Sequence, residues 1–160
     1  MGPFDCLIIR HRKENLRKCS LKGLELRENL VWATYPQPSQ EHLQGNLSGC
    51  IVLDVEGDLL TGKDKGPLIL LDATWRYAAK MRAGLPQLHQ LQHRRIPDGW
   101  STAYPRRQTA CPDPERGLAS IEALFAAFYI TGRLTEGLLD SYFWRKEFLE
   151  KNLSKLSLSS

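Results

Sequence analysis

The stretch LILLDATWRYAAK, residues 68–80, decides how the rest of the chain is read. Leu68 to Leu71 are apolar without a break. A run with no polar alternation marks a strand covered on both faces, which is the habit of parallel sheets. It ends on a carboxylate, Asp72, with Trp75 following three positions later. The residues TWRYAAKMRAGLP then read as a helix that stops at Gly84 and Pro86. In open α/β sheets ligands collect beyond the carboxyl ends of the strands. Asp72 is therefore either the N-cap of the next helix or a carboxylate at a binding site, orienting a ligand or acting as a general base. Trp75 lies one turn on and is either a stacking surface for a flat ligand or a core aromatic.

Working outward, FDCLIIR (4–10), LVWATY (30–35), CIVLDV (50–55) and PLILLD (67–72) read as strands. CSLKGLELREN reads as the start of a helix with Ser20 as its N-cap, weakened by Gly23. Residues 36–49 are loop, and EGDLLTGKDKG turns the chain toward the strand that ends on Asp72. The Pro- and Arg-rich stretch LQHRRIPDGWSTAYPRRQTACPDPERG is expected to be irregular, and a loop of that length is functional or mobile. LASIEALFAAFYITG is apolar on nearly every face and reads as a buried helix closed by Gly132. Thr135 caps a final helix through LLDSYFWRKEFLEKN. The pattern gives an α/β fold with a mainly parallel sheet flanked by helices. The expected organisation is one domain over residues 1–152 and a flexible Ser-Leu tail over 153–160.

A chain of 160 residues, 42% apolar and 25% charged, is an ordinary single globular domain. No apolar run is long enough for a membrane span, and the first residues lack the order of a signal peptide. Cys6, Cys19, Cys50 and Cys111 are widely spaced, which favours reduced thiols in a cytoplasm over a disulfide frame or a zinc site. His11, His42, His89 and His93 have no metal-ligand spacing, so no metal is expected. The net charge of +4 is unevenly spread. Residues 1–22 carry net +4 and residues 76–107 net +6, against −6 for the remainder. Two basic segments in an otherwise acidic chain are either a polyanion surface or a pair of solvated loops.

Three further positions invite chemistry. Ser20, with Lys18 two residues before it, offers a hydroxyl and free amides to a carboxylate or phosphate, or else simply caps a helix. Ala119 and Ser120 open the buried helix in the same way. Glu122 suits the positive end of that helix. There is no nucleophile elbow, Walker loop or G-x-G-x-x-G.

Several blocks together resemble one family. RKCSLKGL resembles the K-K-C-[ST]-x-x-x-L opening of the ribosome-biogenesis aminocarboxypropyltransferases, and LTGKD their L-S-P-x-D turn. LLDATW is similar to their D-C-S-W motif and to the D-x-T-W motif of the related DTW-domain tRNA enzymes. RRIP, LASIEA and YFWRKEFLEKN resemble the R-R-L-P, L-S-x-V-E-A and F-x-W-x-x-x-F-L-x-x-N blocks. The matches run in order over about residues 4–152. The chain departs from the pattern in STAYPRRQTACPDPE, which looks more like the DTW loop, and at Arg145, where the family has Gly.

The resemblance implies a SPOUT-like fold with a C-terminal trefoil knot. It implies S-adenosylmethionine as co-substrate and a uridine or pseudouridine in RNA as acceptor of a 3-amino-3-carboxypropyl group, rRNA before tRNA. Carried onto this chain, Ser20 would hold the methionine carboxylate. Leu53 and the backbone of Ile69 would line the nucleoside, Trp75 would form an apolar wall, and Trp100 would lie nearby. Ala119 and Ser120 would offer amides, Asp72 would orient the acceptor or take its proton, and Lys18, Arg94 and Arg95 would meet phosphates. The competing readings are a SPOUT methyltransferase acting on RNA, a non-catalytic RNA-binding domain and a protein-interaction module.

Overall fold

The computed structural model describes residues 4–12, 20–35, 47–73, 75–104 and 118–156, apart from the side chains of Trp75 and Arg76. Five strands form one sheet: β1 (Cys6–His11), β2 (Leu30–Tyr35), β3 (Ile51–Leu59), β4 (Leu68–Asp72) and β5 (Gln92–Arg95). Their order is β2-β1-β4-β3-β5, and every pairing is parallel. The register sets Ile8 beside Leu70 and Arg10 beside Asp72.

Strand alternation sorts the apolar residues into two layers. Cys6, Ile8, Leu68 and Leu70 face one core, while Leu7, Ile9, Ile69 and Leu71 face the other. Helix α1 (Trp75–Gly84) covers the second layer, with Met81 wholly buried in it. Helix α2 (Ser120–Ile130) covers the first, and its residues Leu124, Phe125, Ala126, Ala127 and Phe128 are all buried. Each large apolar side chain buried this way contributes roughly 1.5–3 kcal/mol. Beyond the end of α2, Arg133 reaches Asp5, Lys65 and Gly66, residues that precede β1 and β4. The C-terminus of α2 therefore lies at the amino edge of the sheet, and its N-terminus at the carboxyl edge.

The C-terminal segment closes the α2 side. Phe148 of α3 (Arg145–Lys151) is fully buried, stacked 6.2 Å from Trp100 and edge-on to Phe125 at 5.8 Å. Asn152 accepts from the Ser101 amide and donates to its carbonyl, at 2.7 and 2.9 Å. Helix α4 (Leu153–Leu156) follows, and the Leu156 carbonyl accepts the Tyr129 hydroxyl at 2.6 Å. Residues 157–160 of the expected tail lie outside the described residues.

Three local expectations are corrected. From Ser20 to Asn29 the chain turns rather than forming a helix. Gly23 is left-handed at φ 101°, and a Cβ there would stand 2.5 Å from Ser141 Oγ, so only glycine fits. β5 lies inside the stretch expected to be irregular, because its residues are polar and their partners sit on other strands. The last helix begins at Arg145 instead of following Thr135, since Gly137 breaks the earlier turns at φ 81°.

Candidate active site

The carboxyl edge of the sheet on the α2 side gathers the polar groups. The β3–β4 ladder ends at Val52 and Ile69, while β4 continues beside β1 to Asp72 and β3 continues beside β5. The two strands part at that point. Leu53 stands beside it, half-buried on the α2 side. Ile69 is wholly buried with its side chain on the α1 side, so only its backbone faces the parting.

Asp72 is 2% exposed and accepts a hydrogen bond from Arg10 Nε at 2.9 Å. The Arg10 guanidinium lies over the Trp32 ring, 4.6 Å from its centre. Arg10 and Asp72 are register partners, and Trp32, which pairs with Ile8, reaches Arg10 diagonally from β2 on the same face. Arg10 and Trp32 were not among the residues that the sequence reading singled out. A signal for Arg10 existed: it is a charge in the apolar run CLIIR, at the position that parallel register sets against Asp72.

Ser20 and the start of α2 do come together. The Ile121 amide donates to Ser20 Oγ at 3.1 Å across a hundred residues of chain. Ser20 thus caps α2 rather than a helix of its own. Having accepted that bond, its hydroxyl still has a proton to donate. Ala119 is the N-cap of α2 in extended backbone, and its amide donates to Glu122 Oε1 at 2.8 Å. Of the amides at this helix start, those of Ala119 and Ile121 are spent internally, and no bond is seen for that of Ser120 among the described residues.

Glu122 is 0% exposed and holds this corner. Its carboxylate accepts from Thr102 Oγ1 (2.6 Å), the Ala103 amide (2.8 Å), the Ala119 amide (2.8 Å) and the Tyr142 hydroxyl (2.9 Å). One buried side chain joins the segment after β5, the start of α2 and the segment before α3. The sequence reading gave it only a helix-dipole role, because local pattern cannot show partners twenty residues away in either direction.

The remaining expected site residues are placed as follows. Trp75 opens α1, but its side chain lies outside the described residues, as does Lys18. Trp100 is buried against Tyr129 and Phe148. Arg94 bonds Asp64 Oδ1 at 3.3 Å and the His93 carbonyl at 2.9 Å. Arg95 bonds the Gly57 carbonyl at 3.2 Å and stands 4.0 Å from Asp98. Arg95 ties β5 to β3 and Arg94 ties it to the turn before β4, with part of each side chain at the surface.

On the opposite face, His93 sits between Asp54 Oδ2 and the Leu88 carbonyl, each at 2.9 Å. Burial by itself would raise the Asp54 carboxyl, but the Glu56 amide, the His93 ring and Arg82 together hold it below the usual range. Burial pushes the Cys6 and Cys50 thiols up, which makes them poor nucleophiles. Among the described residues no three His, Cys, Asp or Glu side chains gather as a metal site, and no helix is long and apolar enough to cross a membrane.

The fold has a solved counterpart. The SAM-dependent rRNA:acp-transferase Tsr3 from Vulcanisaeta distributa superposes with a TM-score of 0.68 at 22% identity, over 96% of this chain and 82% of that one. At that identity the two chains share a fold. No protein-family model and no curated protein matches the sequence.

Proposed function

We propose that this chain transfers the 3-amino-3-carboxypropyl group of S-adenosylmethionine to a uridine or pseudouridine in RNA, with rRNA favoured over tRNA. The observation that carries the reading is the meeting of Ser20 with the start of α2, on the face and edge of the sheet where Asp72 ends β4. Support comes from the ordered motifs around those same residues, and from the shared fold with a protein whose name describes SAM-dependent acp transfer to rRNA.

The donor's sulfonium has three carbon neighbours, each electrophilic, so the outcome depends on which one faces the acceptor. In this reading the Ser20 hydroxyl and the Ser120 amide take the methionine carboxylate. Leu53 and the backbone at Ile69 line the nucleoside, with Trp75 and Ala119 closing the apolar side. Asp72 orients the acceptor base or takes its proton. Trp100 serves from the core, by fixing the Ser101–Tyr104 segment. Lys18 and the exposed parts of Arg94 and Arg95 meet RNA phosphates. The trefoil knot belongs to this proposal as well: Glu122 and Asn152 tie together the segments that such a knot would thread. A cytoplasmic location is part of the same reading.

The test is mass spectrometry of rRNA and tRNA after incubation with the protein and the donor. An aminocarboxypropyl adduct with release of methylthioadenosine is the expected result. A methyl adduct would make the chain a methyltransferase, and an unmodified RNA that still binds would leave a non-catalytic RNA-binding domain.

A further inference from the structure

We infer that Arg10 is a positioning residue for Asp72, held in place by the face of Trp32. The inference rests on the proposed reaction for its functional consequence, and on geometry alone for the pairing. Arg10 and Asp72 are direct partners in the β1–β4 register, so their Cα atoms are fixed at strand spacing. Both side chains turn to the α2 side, where Arg10 Nε donates to Asp72 Oδ2 at 2.9 Å. Arg10 is 14% exposed and Asp72 2%, so water competes little for this bond.

Trp32 completes the arrangement from the next strand. Its indole nitrogen is buried without a partner among the described residues, so the ring contributes its face. The guanidinium over the ring face narrows the settings open to the side chain, and in the one observed Nε points to β4. The carboxylate that ends the central strand is thereby fixed in direction before any ligand arrives. A lysine at position 10 would keep the charge and lose the flat stack, and a methionine would lose both.

The consequence is tested on the full chain with two independent readouts. The first is turnover with RNA and S-adenosylmethionine for Arg10→Met, Asp72→Asn and the double variant. Arg10→Met is expected to lower kcat about 50-fold with donor Kd unchanged within about threefold. Because Arg10 acts through Asp72, the double variant should fall no more than about threefold below Asp72→Asn alone. Arg10→Lys should recover part of the loss, and it serves in place of Arg10→Met should that variant not fold. Losses that multiply in the double variant would overturn the proposal.

The second readout needs no catalysis. In NMR spectra the Arg10 Nε–H is expected to be shifted downfield and slow to exchange, and to lose both properties in Asp72→Asn. Equal exchange in the two proteins would overturn the pairing even with RNA transfer demonstrated. A wild-type chain that transfers nothing to RNA but shows the protected proton would end the functional reading and sustain the positioning of Asp72 by Arg10.

Discussion

The two ends of α2 are finished in different ways. At the amino edge of the sheet the last carbonyls are closed by the chain itself. Ala127 accepts from the Thr131 amide at 3.1 Å and its hydroxyl at 2.7 Å, Phe128 from the Arg133 amide at 2.8 Å, and Thr131 from Lys65 Nζ at 3.0 Å. Arg133 adds bonds to the Lys65 and Gly66 carbonyls. At the carboxyl edge the Ala119 and Ile121 amides are met by side-chain oxygens, of Glu122 and Ser20. One end is finished as structure. The other is met by the helix's own Glu122 and by Ser20 from a distant segment, and there the β3–β4 ladder ends. A helix terminus that offers amide donors suits an anion, and one whose carbonyls are tied back to the chain holds the fold.

Four substitutions would break or sharpen that contrast. Glu122→Ala removes the acceptor of four hydrogen bonds, two of them buried. It should cost roughly 4 kcal/mol of unfolding free energy in urea titrations and abolish donor binding by calorimetry. Unchanged stability would show that the corner is held by something else. Arg133→Met, at the closed end, should cost about 2 kcal/mol of stability and leave donor affinity within twofold. Equal damage to donor binding would erase the distinction between the two ends. Ser20→Ala should weaken the donor Kd about tenfold, a loss of about 1.4 kcal/mol, and the lost cap on α2 should cost about 1 kcal/mol of stability. Asp54→Asn lies on the other face and serves as the control, with a small loss of stability at pH 7 and donor affinity unchanged. The folded protein holds this carboxyl below its unfolded value, so its contribution is present above the unfolded pKa and fades as pH falls through the folded one. The difference between wild type and variant should therefore close below about pH 4.

Much of the scaffold was legible because burial writes itself into composition. CLIIR, LVWATY, CIVLDV and LILLD are apolar or β-branched where a two-sided sheet needs them, and all four are strands. QHRR escaped notice because its side chains bond Asp54, Asp64 and Gly57 instead of joining a core. The helix expected from Ser20 failed for a tertiary reason: Leu21 and Leu24 are pulled into the core and Gly23 takes a left-handed turn against Ser141. Asp72 and Ser20 were picked out by their neighbours in sequence, whereas Arg10, Trp32 and Glu122 matter through partners on other elements. Contacts of that kind are set by register and topology, which a local reading does not contain.

The polar character of β5 has one more consequence. Among the described residues it is the last strand on its side of the sheet, an edge that another extended chain could approach. A second copy approaching strand-to-strand would bring its own Arg94 and Arg95 toward this basic edge. Repulsion of like charges there discourages edge-to-edge assembly, so concentrated solutions of the protein should stay monodisperse at low salt and begin to self-associate first where salt screens those guanidinium groups.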